Sequence, residues 1–276
     1  MTPNNRLGTM SIATLQSMVT PRDMDVRRLI REHRFLTTKQ LQRLLFWDHA
    51  SPSAAIRACI RVLTRLELRV LIVKLNRQIG GVHAGSGSYI WGIDDAGDRL
   101  LRVGSGVKDA KRQRTFDPSP LFLAHTLAVA ETRVMLEEAA HREELELVAV
   151  TTEPSNWRTF VGRAGTTQTL KPDLHAVTAL GDFEDHWFIE IDNGTESLPT
   201  VLGKCQTYQR YFESGREQHI FGVFPKVVWL MLNARRRSKL LAAIKSDKRL
   251  DERLFLAVAP GDFIALVTSN ATPDTT

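Results

Sequence analysis

The sequence is poor in the features that mark secreted and membrane proteins. Its 276 residues include two cysteines, Cys59 and Cys205, which lie far apart and lack the spacing of a zinc site. Isolated thiols exclude a disulfide framework and fit a reducing cytosol. No apolar run approaches the roughly 20 residues that span a bilayer, and residues 1–20 lack the pattern of a signal peptide. These absences predict a cytoplasmic protein without a membrane partner.

The net charge of +6 conceals two halves of opposite sign. Residues 1–118 hold 20 Lys+Arg and 10 Asp+Glu, a net of +10, which leaves 17 and 21, a net of −4, for the remainder. A basic front half on an acidic back half predicts that the front half meets a polyanion.

Residues 24–103 have the periodicity of three helices followed by a β-hairpin. We expect Thr37 or Thr38 to cap the second helix, and Ser51-Pro52 to start the third. The helices are predicted over 24–34, 38–45 and 53–66, and the strands over 70–75 and 89–93, around a Gly/Ser-rich turn at 80–88. This order predicts a winged helix-turn-helix, whose third helix enters the major groove of double-stranded DNA.

The third helix carries arginines every four residues, at Arg57, Arg61 and Arg65, which form one slowly drifting stripe. We expect its apolar positions, Ile56, Ile60, Leu63 and Leu66, to point inward. The arginine stripe is the predicted groove contact, led by Arg57 and Arg61. Phosphate contacts are predicted for Lys39, Arg43, Lys74 and Arg77. The alternative is a solvated arginine face on a domain that binds protein.

A charged segment at 104–120, including Lys108, Lys111, Arg112 and Arg114, predicts a linker between two domains. Residues 121–265 predict a second domain of the α+β or α/β class with a mixed sheet, and residues 1–23 and 266–276 are expected to be flexible. The helices of this second domain are predicted at 121–140, 197–212 and 236–244, and its strands at 145–151, 170–180, 187–191, 226–232 and 254–259.

Two acidic clusters lie twenty residues apart in this second domain. Lys171-Pro172-Asp173 opens one apolar run, and Glu190-Ile191-Asp192 closes the next. In an antiparallel hairpin the start of one strand and the end of the next share an edge, so these carboxylates should meet. Carboxylate oxygens with open positions beside them suit Mg²⁺. His125, His175 and His186 have no ligand-like spacing; we expect a structural His125 and surface positions for the two strand histidines.

The motifs in this order resemble the replication-relaxation family of bacterial plasmids and other mobile elements. The resemblance rests on the Thr-x-x-Gln-Leu start near Thr37, on His125-Thr126-Leu127 with Glu131, and on the two acidic clusters followed by Lys204 and Tyr208. The back half also resembles the PD-(D/E)XK nuclease superfamily, which implies a restriction-endonuclease-like domain.

The superfamily resemblance implies that Asp173 and Glu190 bind Mg²⁺ or Mn²⁺ with the carbonyl of residue 191, and that Glu131 adds a carboxylate. A lysine usually completes the third-strand motif, but Asp192 stands there in this chain. Lys204 and Tyr208, four apart on the following helix, share a face and supply the alternative catalytic groups. Asp192 is then a further metal ligand or an ion-pair partner of Lys204. Alternatively, the carboxylates cap the helix that starts near Ser197, and Lys204 is solvated.

Two functions follow. The first is a metal-dependent DNA nickase or endonuclease of a plasmid or mobile element, targeted by its winged helix and active in replication, mobilisation or their control. The second is a non-catalytic DNA-binding regulator that uses the nuclease-like domain for dimerisation or partner docking. The resemblance places either protein in the bacterial cytoplasm, with the nucleoid or a plasmid, and we expect a homodimer if the target is palindromic.

Overall fold

Two compact units make up the chain, one up to Leu127 and one from Ala128. The computed structural model describes residues 12–79, 88–104, 112–113, 116–162 and 165–269. Helices occur together with a mixed five-stranded sheet, which confirms the α+β class. Among the described residues, no helix combines the length and the apolar character needed to cross a bilayer.

The first unit contains helices and one small sheet. Its helices are α1 (Ile12–Ser17), α2 (Pro21–His33), α3 (Thr38–Leu45), α4 (Pro52–Leu68) and α5 (Asp95–Gly104), and its strands are β1 (Phe35–Thr37), β2 (Ile72–Ile79) and β3 (Ser88–Ile93). The strands are antiparallel in the order β1-β3-β2. The predicted turn at 80–88 lies outside the described residues except for Ser88, as do Lys108, Lys111 and Arg114 of the predicted linker.

Side-chain caps fix where these helices begin. The Thr37 hydroxyl oxygen accepts a hydrogen bond from Gln40 N, and Thr37 N donates to Gln40 Oε1 in return, so Thr37 and not Thr38 caps α3. Ser51 caps α4, and Pro52 occupies its first position, as the sequence predicts. The strand predicted at 70–75 starts later, at Ile72, because Val70 has a positive φ of 56° at the end of α4.

The inward face of α4 differs from the predicted one. Cys59, Val62, Leu63 and Leu66 are buried, whereas Ile60 is 49% exposed, so its predicted inward position is wrong. Small residues at Ala55 and Ala58 complete the buried stripe, which turns Ile60 to the side of the helix that carries Arg57 and Arg61.

Two buried carboxylates tie the helices of the first unit together. Asp98 on α5 receives Arg31 Nε at 2.8 Å and Arg102 Nε at 2.9 Å. Asp23 on α2 pairs with Arg65 of α4 at 2.5 Å and lies 3.9 Å from Arg69. Both carboxylates are fully buried, and such charges persist in a protein interior only when they are paired.

The second unit alternates strands and helices. Its strands are β4 (Glu146–Thr152), β5 (Arg158–Val161), β6 (Thr167–Leu170), β7 (Leu174–Leu180), β8 (Phe183–Asp192), β9 (Lys226–Met231) and β10 (Phe255–Val258). Its helices are α7 (Leu198–Glu213), α8 (Arg216–Phe221), α9 (Ala234–Ser246) and α10 (Phe263–Thr268), and α6 (Pro120–His141) crosses the boundary between the units. Short 3-10 turns occupy Glu252–Leu254 and Pro260–Asp262.

Five of these strands form the central sheet in the order β10-β9-β8-β7-β4. β4, β7 and β8 are antiparallel neighbours, while β8, β9 and β10 are parallel. Both faces of the sheet are buried. One packs against α7 and α9 through residues such as Phe188, Tyr208 and Leu240, and the other packs against α6 and α10 through residues such as Ile189 and Phe263.

The predicted strand at 170–180 is two strands. Lys171-Pro172-Asp173 separates β6 from β7, because proline has no backbone N–H for a ladder hydrogen bond. β6 pairs with β5, which the sequence did not indicate, in a separate two-stranded ribbon. The helices α8 and α10 are also additions to the predicted set.

We predict that Asp98→Ala destabilises the protein by roughly 3 kcal/mol, because it leaves Arg31 and Arg102 without their buried partner. The measurement is the free energy of unfolding in urea. Asp95→Ala is the matched control on the same helix: its carboxylate is 52% exposed, and its loss should cost less than about 1 kcal/mol. Equal losses for the two variants would contradict the prediction.

Candidate functional site

The two acidic clusters meet at one edge of the central sheet. Leu174 of β7 pairs with Ile189 of β8, so the residue before β7 lies beside the end of β8. Asp173 Oδ2 accepts a hydrogen bond of 2.8 Å from Ile191 N. The register thus brings Asp173 next to the Glu190-Ile191-Asp192 segment, as expected for a strand start and a neighbouring strand end.

Helix α7 presents two side chains to Glu190. Lys204 Nζ lies 2.5 Å from Glu190 Oε2 and 3.9 Å from Asp173 Oδ1. Tyr208, one helical turn later, donates its hydroxyl to Glu190 Oε1. Ser197 caps this helix, and Pro199 lies in its first turn, which fixes the start from which the two side chains are spaced. Lys204 therefore reaches the carboxylates, and the interpretation of Lys204 as a solvated side chain is wrong.

Burial shapes the electrostatics of this group. Glu190 and Tyr208 are fully buried, while the side chain of Lys204 keeps 31% of its surface exposed. Burial raises the pKa of Glu190, an effect that the Lys204 ammonium opposes and the Asp173 charge reinforces. Burial disfavours the charge of Lys204, but Glu190 and Asp173 outweigh it and raise its pKa above the usual value. The ammonium therefore stays charged between the carboxylates.

Tyr208 is held as a hydrogen-bond donor. Burial and the neighbouring Glu190 raise its pKa well above the ordinary value, so its phenol keeps its proton. A fully buried, protonated phenol orients Glu190 and does not offer a nucleophilic oxygen to a large substrate.

Asp192 forms its ion pair with an arginine and not with Lys204. Arg236, near the start of α9, donates Nε to Asp192 Oδ2 at 2.5 Å and Nη2 to Oδ1 at 3.1 Å, and also reaches the carbonyl of Glu196 at 2.7 Å. Asp192 Oδ1 also accepts from Gly194 N. The ion pair of Asp192 is thus with Arg236 and not with Lys204. Arg236 fixes the loop that leads into α7.

The remaining predicted ligand, Glu131, lies half-buried on α6, as does His125. Within the described residues, no three His, Cys, Asp or Glu side chains converge as the ligands of a metal ion would. Asp173 and Glu190 instead flank the ammonium of Lys204. The roles of Asp173, Glu190, Asp192 and Glu131 as metal ligands stay predictions.

The expected surface positions of the strand histidines are wrong. His175 is 6% exposed, and its ring lies 6.2 Å from that of His186 and 5.3 Å from that of Phe188. Burial, with the charges of Arg158 and His186, lowers the pKa of His175 to about 4. The strand pattern did not indicate this, because β7 and the middle of β8 are covered on both faces, and a polar residue there does not mark a solvent-facing side.

A second buried carboxylate lies on the same side of the sheet. Both carboxylate oxygens of Glu217 accept from Arg158 Nε, Oε1 at 3.2 Å and Oε2 at 3.1 Å, and Oε2 also accepts from the Tyr211 hydroxyl. Sequence patterns gave no signal for this group or for Arg236, since their partners lie 59 and 44 residues away. Each contact exists only because α7, α8 and α9 fold back over the sheet.

The predicted DNA-contact residues occupy the first unit. Arg57 and Arg61 are exposed on α4 and, within the described part of the chain, pair with no carboxylate; Arg65 instead binds the buried Asp23. Lys39 is exposed and Arg43 is half-buried on α3. Lys74 lies 4.5 Å from the Tyr89 ring and 3.9 Å from Glu67. The side chain of Arg77 is outside the described residues.

We predict that Lys204→Met destabilises the protein by roughly 3 kcal/mol, because it strands the buried carboxylate of Glu190. In the background of Glu190→Gln the same change should cost at least about 1 kcal/mol less, since no buried charge is left. Urea unfolding of the two single variants and the double variant measures this coupling. Lys239→Met, an exposed lysine on α9, is the control. Additive effects at Lys204 and Glu190 would refute the coupling.

The comparisons with known proteins agree with the motif order. The model of the replication-relaxation family matches residues 28–227, which include α4, both acidic clusters and α7. No curated protein and no solved structure matches the chain. Because the match covers well over half of its length, the chain belongs to the replication-relaxation family.

Proposed function

We propose that this protein binds double-stranded DNA of a plasmid or other mobile element and acts in its replication, mobilisation or control. Membership of the replication-relaxation family supports the setting, which would be the bacterial cytoplasm. The observation that carries the proposal is the outer face of α4, where Arg57 and Arg61 are exposed beside Ile60 and without carboxylate partners among the described residues.

The first unit would act as a winged helix-turn-helix. α2, α3 and α4 precede the β2–β3 hairpin, which is the order of that motif, and α4 would enter the major groove. Guanidinium groups at Arg57 and Arg61 can donate in pairs to guanine, and Ile60 offers an apolar contact for a thymine methyl. Lys39, Arg43 and Lys74 would contact phosphates. Arg65 would instead hold α4 against α2 through Asp23.

The second unit would be a PD-(D/E)XK-like domain. Its support is the order of α6, β4, β7, β8, α7 and β9, with Pro-Asp before β7 and Glu-Ile-Asp at the end of β8. The position of Lys204 also supports it, since its ammonium lies beside Glu190 and Asp173 although it comes from the following helix. Lys204 would then serve these carboxylates in place of the lysine that usually stands at the position of Asp192.

The donor chemistry of this site would suit Mg²⁺ or Mn²⁺. Mg²⁺ is commonly held by one or two carboxylates and keeps several waters, so Asp173, Glu190 and the carbonyl of Ile191 would suffice. A bound metal would polarise a phosphodiester and activate a water molecule. Lys204 would offset the charge of the phosphate, Tyr208 would hold Glu190 in place, and Ile191 N would orient Asp173.

A second function has its own supporting observation. Both oxygens of the fully buried Glu190 already have donors, and Asp192 is bound by Arg236. A carboxylate set that is satisfied by its own chain fits a structural core. The alternative is therefore a non-catalytic DNA-binding regulator, in which this unit serves dimerisation or partner docking.

We predict that Arg57→Ala with Arg61→Ala weakens binding to duplex DNA by at least about tenfold and lowers the salt slope by about 2. Fluorescence anisotropy across a range of salt concentrations measures both quantities. Arg249→Ala with Arg253→Ala removes the same charge from exposed positions of the second unit and is the control. Equal affinity of the α4 variant and the unmodified protein would exclude α4 as the contact helix.

We predict that the protein nicks supercoiled plasmid in Mg²⁺ or Mn²⁺, and that Asp173→Asn and Glu190→Gln each abolish nicking. Glu196→Gln should retain it, because the carboxylate of Glu196 is exposed and forms no ion pair with Lys204, on which its charge has the smallest of the effects that shift the Lys204 pKa. Gel electrophoresis follows the conversion to open circles, and circular dichroism checks folding. No nicking by the unmodified protein, with duplex binding intact, would favour the non-catalytic regulator.

A further inference from the structure

The β5–β6 ribbon presents an outer face that the proposed DNA contacts do not use. Phe160 and Leu170 point inward and are 1% exposed. The opposite side, here called the outer ribbon face, consists of Trp157, Thr159, Val161, Thr167, Thr169 and Lys171. It carries one cation, three hydroxyls and two apolar side chains, and no carboxylate. This composition suits an anionic partner with flat apolar surfaces.

An exposed indole lies at one end of this face. Trp157 is 39% exposed, and the ammonium of Lys171 lies 4.2 Å from the centre of its ring. Large aromatic side chains are mostly buried in soluble proteins, and an exposed one offers a flat apolar face on which a base can stack. The flexible stem of Lys171 lets its ammonium leave the ring for a nearby anion.

Two contacts attach this end of the ribbon to the acidic site. Asn156, fully buried and next to Trp157, donates Nδ2 to the carbonyl of Pro172 at 2.8 Å. Pro172 precedes Asp173, whose carboxylate accepts from Ile191 N. Lys171 is two residues from Asp173, which is at most about 7 Å of extended chain. A strand of nucleic acid at Asp173 would therefore come within reach of Lys171 and Trp157.

We propose that Trp157 and Lys171 form a binding site for an unpaired nucleotide of a DNA strand. The indole stacks on the base and Lys171 neutralises a phosphate. The hydroxyls of Thr159 and Thr169 lie 3.3 Å apart and hydrogen-bond each other, so one of them is left to donate to the backbone of the DNA strand. Stacking on an aromatic side chain requires a base whose face is free, so this site selects single-stranded over duplex DNA. The inference rests on the proposed function, because it takes the acidic site to face a DNA strand.

The test compares a labelled single-stranded 20-nucleotide oligomer with a hairpin duplex of the same sequence, by fluorescence anisotropy on the full chain. Trp157→Ala should weaken single-strand binding by at least about fivefold, and Trp157→Phe should restore part of it. Lys171→Gln should lower the single-strand salt slope by about 0.7. Phe183→Ala, which removes an aromatic side chain that is 76% exposed at the start of β8 and outside this face, is the control and should bind as the unmodified protein does. Urea unfolding verifies that every variant is folded.

Several outcomes would overturn the inference. One is a Trp157→Ala variant whose affinity for the single strand is unchanged. Another is a Trp157→Ala variant that loses as much affinity for the duplex as for the single strand. The third is an unmodified protein that does not bind the single strand. Self-association lost in Trp157→Ala with single-strand binding intact would instead assign the face to a second copy of the chain. The Arg57/Arg61 variant separates the proposals: it should lose duplex binding and keep the Trp157-dependent single-strand binding. If that variant kept both duplex binding and single-strand binding, the result would contradict the α4 contact and leave the Trp157 site standing.

Discussion

The second unit depends on how the buried charge of Glu190 is satisfied. A carboxylate without water must find a cation and hydrogen-bond donors, and both come from one face of α7 through Lys204 and Tyr208. This requirement fixes the position of α7 over the sheet, because its two side chains must arrive at the same carboxylate one turn apart. Arg236 acts on the same loop from the other side, through Asp192 and the carbonyl of Glu196. The acidic edge is consequently held by charge as well as by apolar packing.

The elements of the fold were predictable where local chemistry decides them. Thr37, Ser51 and Ser197 each cap the helix that begins at the next residue, so the cap depends on local sequence alone. The apolar runs at β8 and β9 are long enough to be recognised as strands. The acidic edge was predictable too, since a strand start and the next strand end must meet. The β5–β6 ribbon was not predictable, because its strands have four residues each and Pro172 lies within the range predicted as one longer strand.

Long-range partners were beyond prediction for a physical reason. Whether Asp192 meets Lys204 or Arg236 depends on which side of the loop each helix packs, and the sequence does not specify that packing. The same holds for the arginines of α4. Their spacing of four places them on one stripe, yet Arg65 turns to the buried Asp23 while Arg57 and Arg61 stay exposed. Spacing gives the stripe, and only the tertiary fold decides which members remain available.

The ammonium of Lys204 sets the condition under which the acidic edge could perform chemistry. It supplies one positive charge to two carboxylates, so a divalent cation at the same place would have to replace its contact with Glu190 or share it. Sharing is costly between like charges a few ångströms apart in a buried site. Replacement is easier, because Lys204 keeps about a third of its side chain exposed and can swing toward a phosphate, which would then receive its charge. Cleavage by this edge would thus require Lys204 to leave the Glu190 carboxylate for a phosphate, whereas in a scaffold the ion pair between Lys204 and Glu190 would stay intact.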